Sequence, residues 1–80
     1  MRIDDYLSTV GVIKRRTIAK ELGQKGMIEV NNRKIKPSYQ VRINDIILIK
    51  GSKSITIEVL DLPTGSIPKE KRENYFKPLT

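Results

Sequence analysis

The sequence contains no cysteine and no histidine, and its only aromatic residues are three tyrosines and one phenylalanine. Without cysteine the chain forms no disulfide and has no thiol for catalysis. Because histidine is missing as well, the usual zinc ligands are absent, and we expect neither a metal site nor any other cofactor. The aliphatic run Ile46–Ile49 is too short to cross a bilayer, so no membrane partner is expected.

Groups suited to acid-base catalysis are also scarce. Asp4 and Asp5 are adjacent, so on a helix their side chains do not face each other. All five glycines are isolated, so the sequence has no glycine-rich loop to hold a nucleotide phosphate. We therefore predict that the protein is not an enzyme. The segment 1–5 carries acids where a signal peptide needs basic residues, and we expect a cytoplasmic protein.

Positive charge, in contrast, is abundant. The 80 residues include 16 lysines and arginines against 9 acidic residues, and the resulting net charge of +7 is constant across physiological pH because histidine is absent. Residues 1–50 carry a net charge of +6 and residues 51–80 only +1. Basic charge concentrated on one part of a small domain is typical of nucleic-acid-binding proteins. Two alternatives stay open: a solvated basic surface that only aids solubility, and a protein-interaction module that binds an acidic partner.

Two short helices are predicted near the N-terminus. The first is indicated by apolar residues at helical spacing, namely Ile3, Tyr6, Leu7 and Val10. Gly11 is expected to end it. The second is predicted over residues 14–24, with an apolar stripe formed by Ile18, Ala19 and Leu22.

In the remaining sequence apolar and polar residues alternate, as they do in strands. Residues 27–30 and 33–35 form a predicted hairpin around Asn31 and Asn32, residues 46–49 a central strand and residues 54–60 another strand. Residues 63–68 are predicted to be a linker, and residues 69–76 a short helical turn whose two aromatics, Tyr75 and Phe76, either pack on the core or contact a partner. We thus expect an α+β fold, with two helices packed on a small, mostly antiparallel sheet over residues 1–62. A linker and a short helical or irregular C-terminal segment should follow over residues 63–80.

The basic triplet Lys14-Arg15-Arg16 lies at the predicted start of the second helix. The helix dipole disfavours positive charge there, and Arg16 and Lys20 add a like-charge pair one turn apart. A bound polyanion would make both placements favourable. The triplet therefore indicates binding to a polyanion rather than a role in stability.

Several of these motifs occur together in one known family. They are Arg2-Ile3-Asp4 before a short helix, Ile13 to Thr17 with Ala19 at a second helix, Gly26-Met27-Ile28 with Val30-Asn31 in a hairpin, then Pro37-Ser38 and Asp45. Over residues 1–50 this combination resembles the S4-type RNA-binding domain of ribosomal proteins, also called the αL motif. The resemblance implies RNA binding. It also shows a departure, because family members often carry a basic residue at the positions of Asp5, Gly11 and Met27.

Over nearly its whole length the chain is similar to the RqcP group, small stand-alone members of this family that act in bacterial ribosome-associated quality control. The similarity implies binding to the large ribosomal subunit beside a stalled peptidyl-tRNA, with contacts to ribosomal RNA and tRNA. It further implies RqcH as a partner, which recruits alanyl-tRNA for alanine tailing of the stalled chain. A stand-alone S4-type protein of ribosome assembly or RNA metabolism is the alternative. We expect a monomer.

Arginine and lysine side chains are the candidate RNA contacts, because their charges neutralise phosphates and the arginine fork binds them at two points. The candidates are Arg2, Lys14, Arg15, Arg16, Lys20, Lys34 and Lys36. Arg15 and Arg16 are predicted as the main contacts, although the Arg15 stem can instead lie across the core edge. Asp4 is predicted either to cap the first helix or to orient an arginine. Tyr39 either stacks on a base or, as expected of a tyrosine near a proline turn, packs.

Overall fold

Two helices and a five-stranded sheet make up the fold in a computed structural model that describes all 80 residues. The helices are α1, Ile3–Thr9, and α2, Arg16–Gln24. The strands are β1, Ile28–Val30; β2, Arg33–Lys34; β3, Ile46–Ile49; β4, Ile55–Val59; and β5, Phe76–Pro78. A 3-10 helix spans Lys69–Asn74. All strand pairs are antiparallel in the order β2-β1-β3-β4-β5, so the predicted α+β fold and the central position of β3 are confirmed.

The core lies between the two helices and one face of the sheet. All four apolar residues that predicted α1 are fully buried there, together with the inward residues of β1, β3 and β4. Gly11 follows α1 with φ +81°, a left-handed conformation that a glycine adopts without strain. The helical spacing read from the sequence therefore identifies the packed face of α1 correctly.

The prediction for α2 is wrong in two details. The helix begins at Arg16, so Lys14 and Arg15 precede it in non-helical backbone. Ile18 is 44% exposed, whereas Ala19 and Gly23 are buried. The reason is close packing through the smallest residues: a Cβ added at Gly23 would lie 2.9 Å from Cγ of Pro37. This approach faces Ala19 and Gly23 inward and leaves Ile18 at the surface.

A buried carboxylate fixes the segment between the β1–β2 hairpin and β3. Asp45 accepts hydrogen bonds from the Asn31 side-chain amide at 3.1 Å, the Tyr39 hydroxyl at 2.8 Å and the backbone N–H of Arg42 at 3.0 Å. Asn31 and Asn32 take positive φ values of 52° and 70°, as a tight hairpin turn requires. Tyr39 also packs against the core, in agreement with the expected one of its two roles.

The C-terminal segment contains a strand that the sequence did not predict. After the 3-10 helix, β5 pairs with β4 in the register Ile57–Pro78 and Val59–Phe76. The Tyr6 hydroxyl donates a 2.7 Å hydrogen bond to the carbonyl of Tyr75, and both Tyr75 and Phe76 pack against the core. Three residues that include a proline are too few to show a strand period, so the free edge of β4 determines this structure. The boundary at residue 62 stays a prediction.

Candidate nucleic-acid interface

A buried carboxylate holds two arginines at the N-terminal ends of the two helices. The Asp4 side chain is fully buried, and its oxygens accept hydrogen bonds from Nε of Arg2 at 3.2 Å and from Nη2 of Arg2 at 3.1 Å. Nε of Arg16 lies 3.7 Å from Oδ2 of Asp4, which makes a second ion pair. The guanidinium of Arg2 therefore meets the carboxylate at two points, a geometry that fixes its orientation.

These contacts correspond to the orienting role considered for Asp4. The residue before α1 is Arg2, whose side chain makes no capping hydrogen bond. Asp4 does accept the backbone N–H of Asp5 at 2.8 Å, so one free N–H group of the first turn is satisfied locally. The arginines keep much of their surface in solvent, with side-chain exposures of 41% for Arg2 and 52% for Arg16. Each thus has donors left for a ligand.

Backbone hydrogen bonds from the segment 37–41 fix the position of Arg2. The N–H of Ile3 donates to the carbonyl of Tyr39 at 2.8 Å, and the N–H of Val41 donates to the carbonyl of Met1 at 2.9 Å. Arg2 itself forms an isolated antiparallel bridge with Gln40. Arg2 is thus placed by paired backbone on both sides rather than by a free terminus.

Two adjacent shallow cavities join these arginines to two lysines. One is lined by Arg2, Asp4, Arg16, Thr17 and Lys20. The other is lined by Arg2, Lys20, Gly23, Gln24, Lys36, Pro37 and Ser38. Because the cavities share Arg2 and Lys20, they form one surface, which we call the basic groove and define by Arg2, Arg16, Lys20 and Lys36. Asp4 is its one lining carboxylate, so the groove has a net charge of +3.

The other candidate residues lie outside the basic groove. Arg15 is exposed just before α2, in extended backbone with φ −124° and ψ 132°, and its stem is not buried on the core. Lys34 is exposed on β2, where its stem lies near Gly26. Lys14 lines a separate cavity together with Lys69 and Arg72. The structure therefore brings together four of the seven candidates.

The basic groove suits a phosphate backbone. Its cations come from four places in the sequence, namely the residue before α1, the first and second turns of α2, and the segment after β2. The two guanidiniums offer planar forks for phosphate oxygens, and the two lysines offer mobile point charges. No group of three or more carboxylate, histidine or cysteine side chains is placed to hold a metal ion. None of the helices has the length and apolar character needed to cross a membrane.

Two tyrosines with structural roles have raised pKa values. Burial, and secondarily the charge of Asp61, raises the pKa of the Tyr6 phenol far above its ordinary value. Burial also raises the pKa of Tyr39, and its hydrogen bond to Asp45 acts in the same direction. Both phenols therefore stay protonated at physiological pH and serve as hydrogen-bond donors.

Sequence reasoning missed two contributors to this part of the molecule. Gly23 lets α2 approach Pro37, and this contact brings the helix that carries Lys20 against the segment that carries Lys36. Neither a helix-interior glycine nor a proline turn has a sequence signal for such a contact, because the two residues are far apart in the chain. Beside the separate cavity of Lys14, the C-terminal cations Lys69 and Arg72 have no sequence signal either, because residues 69–76 predict only a short helical turn.

Comparison with known proteins identifies one matching family and several relatives that share one name. Residues 1–47 match the S4 domain family. Three similar proteins are each named RQC P-site tRNA stabilizing factor. The protein of Streptococcus pneumoniae is 43% identical over 94% of this chain and 86% of the relative. The protein of Helicobacter pylori strain J99 is 36% identical over 100% of this chain and 98% of the relative. The protein of Bacillus subtilis is 35% identical over 95% of this chain and 88% of the relative.

Two solved structures share the fold. Hypothetical protein HP1423 superposes with a TM-score of 0.84 at 29% identity, covering 100% of this chain and 98% of that one. Heat shock protein 15 of Vibrio cholerae superposes with a TM-score of 0.88, covering 98% of this chain and 80% of that one. Its identity is 22%, so this likeness concerns the fold alone. The sheet and the helix pair described above are thus found in other proteins.

Proposed function

This chain belongs to the S4 domain family and to the RQC P-site tRNA stabilizing factors within it. From that membership we propose the following function and mechanism. It is an RNA-binding protein of the RqcP type, which binds the large ribosomal subunit during rescue of stalled ribosomes. It contacts ribosomal RNA and the peptidyl-tRNA, and it works with RqcH in alanine tailing. It acts as a monomer in the bacterial cytoplasm, by binding rather than by catalysis.

The basic groove is the observation that supports this function. Arg2 and Arg16 are held by one buried carboxylate, and Lys20 and Lys36 extend the positive surface on either side. Because both arginines are already oriented, RNA binding does not have to order them, and the entropic cost of binding is reduced. Phosphate contacts of this type recognise the shape of structured RNA rather than its bases.

Arg16 illustrates how the groove uses the start of α2. As the first residue of that helix it lies beside free backbone N–H groups, where the helix dipole favours an anion. A phosphate bound there meets the guanidinium and the helix end together. Arg15, Lys14 and Lys34 add charge from outside the groove, and we propose that they contribute less than Arg16 to affinity.

The proposal is tested by removing both oriented arginines. We expect Arg2→Ala with Arg16→Ala to abolish cosedimentation with purified large ribosomal subunits. The matched control is Lys53→Ala with Lys77→Ala, which removes the same charge from exposed positions outside the groove and should retain binding. Equal loss in both double variants would mean that net charge alone drives association, and retained binding in the arginine variant would refute the groove.

A ribonuclease experiment separates RNA binding from binding to an acidic protein. Complexes captured with the tagged chain should dissociate when the RNA is digested. A partner that stays bound after digestion would support the protein-interaction alternative. The assembly alternative makes another prediction, namely that the protein sediments with immature particles instead of with mature large subunits that carry peptidyl-tRNA.

A further inference from the structure

A second basic cluster lies apart from the basic groove. Lys14, Lys69 and Arg72 line one cavity together with Ser8 and Gly11. This cavity shares no lining residue with the two cavities of the groove. Its walls come from both ends of the chain, because Ser8, Gly11 and Lys14 belong to α1 and the link that follows, whereas Lys69 and Arg72 belong to the C-terminal 3-10 helix.

The three cations of this cavity have no acidic partner. The ion pairs of the structure involve Arg2, Arg16 and Lys50, and none includes Lys14, Lys69 or Arg72. No carboxylate lines the cavity. Three uncompensated like charges held together repel one another, and an anion bound between them would relieve that repulsion.

Arg72 is packed in place rather than free in solvent. Its side chain lies directly over Gly11: a Cβ added at Gly11 would lie 2.5 Å from Nη1 and 2.7 Å from Cζ of Arg72. Gly11 thus gives room for the guanidinium. Nε of Arg72 is buried without a hydrogen-bond partner, an arrangement that costs free energy and is uncommon in folded proteins.

The C-terminal segment is held firmly enough to serve as a wall of this cavity. Tyr6 on α1 donates its hydroxyl to the carbonyl of Tyr75, and the N–H of Tyr75 donates to the carbonyl of Arg72 at 3.0 Å. Beyond Tyr75, β5 pairs with β4. Both attachments follow the 3-10 helix, and Ile67, which precedes it, packs against the core, so the cations of the helix are kept beside Lys14.

We propose that Lys14, Lys69 and Arg72 form a second phosphate-binding site, which contacts the backbone of an RNA segment different from the one in the basic groove. The identity of the polyanion as RNA rests on the proposed function. The separate location rests on the cavity itself. The C-terminal segment is then part of the binding surface, and the chain is held on RNA from two sides.

The test compares two double variants of equal charge. Lys69→Gln with Arg72→Gln removes two cations of the second site and keeps the methylene groups nearest the backbone in both side chains. Lys53→Gln with Lys77→Gln removes two exposed cations elsewhere. Affinity for purified large ribosomal subunits carrying P-site tRNA is measured from 0.05 to about 0.3 M salt. Thermal unfolding of each variant shows that the fold is retained.

Loss of two phosphate contacts reduces the slope of log affinity against log salt by about 1.4 to 1.8. At about 0.15 M salt this corresponds to roughly tenfold to thirtyfold weaker binding. We expect that loss for the Lys69 and Arg72 variant and a smaller one for the control. Equal effects of the two variants would overturn the second site while leaving the function intact, whereas failure of the unmodified protein to bind subunits would overturn both.

Crosslinking locates the contacts. A photoreactive side chain placed at position 69 and another at position 20 should label different RNA segments in the same complex. Labelling of a single shared segment, or labelling of ribosomal protein alone from position 69, would contradict the proposal.

Discussion

Replacement of Asp4 by asparagine distinguishes the effect of where the arginines are held from the effect of the protein's net charge. The substitution keeps the size of the side chain and removes the negative charge that holds Arg2 and Arg16. The net charge of the protein then rises by one, so charge counting alone predicts tighter binding to RNA. If the position of the arginines matters, RNA binding should instead weaken, because the Arg2 guanidinium loses its two-point contact and the two arginines repel each other.

The expected cost in stability follows from the burial of the three side chains. A hydrogen bond to a charged group contributes about 1.5–3 kcal/mol, whereas exposed ion pairs contribute about 0.2–1 kcal/mol. Asp4 is fully buried but Arg2 and Arg16 are half exposed, so solvent replaces part of the lost interaction. We expect Asp4→Asn to lower the free energy of unfolding by about 1–3 kcal/mol, or roughly 5–20 °C in Tm for a domain of this size.

The assay is affinity for large ribosomal subunits at several salt concentrations, measured below the unfolding transition of every variant. We expect Asp4→Asn to bind about tenfold more weakly, which corresponds to about 1.4 kcal/mol. Asp5→Asn is the control, since it makes the same charge change on the same helix, and Asp5 meets no arginine. Unchanged or tighter binding of the Asp4 variant would refute the positioning role.

Two further predictions concern other parts of the fold. Gly11→Ala should destabilise the protein by about 1–2 kcal/mol in urea unfolding, because Gly11 has a left-handed conformation with φ +81°. The added Cβ should also displace Arg72, and unchanged RNA affinity would argue against that effect. Tyr6 and Tyr39 have pKa values raised above the ordinary 10.0, so the stability that their protonated forms contribute is complete below about pH 10 and is lost as the pH rises through the folded-state values. Unfolding free energy should therefore decline above about pH 10, and less steeply in a Tyr6→Phe variant; identical alkaline profiles would exclude Tyr6 as the source.

Local sequence signals predicted most of the fold, because each was strong by itself. The four apolar residues of α1 repeat at helical spacing, and all are buried. The pair Asn31-Asn32 marks a hairpin turn because asparagine tolerates positive φ, and both residues adopt it. The aliphatic run Ile46–Ile49 predicted a central strand, and β3 is the middle strand of the sheet. In these elements local preference and tertiary environment agree.

The errors arose where tertiary contact outweighs local preference. Ile18 fits an apolar stripe by spacing, yet Gly23 and Ala19 pack closer to the neighbouring segment and leave it exposed. The β5 strand has no period of its own and forms because β4 has a free edge. For the site, the sequence indicated Asp4 and the basic residues but not their grouping, because grouping depends on how α1, α2 and the segment 37–41 meet.

The basic triplet shows that residues adjacent in the sequence need not lie on the same surface. Lys14 lies in non-helical backbone, Arg15 is extended, and Arg16 is the first residue of α2, so the chain changes direction within the triplet. Lys14 and Arg16 line different cavities, one beside the C-terminal 3-10 helix and the other beside Asp4. A run that looks like a single charge cluster thus supplies two surfaces. Because α2 begins only at Arg16, the start of the helix lies at the groove, whereas the second cavity combines Lys14 with cations from the other end of the chain.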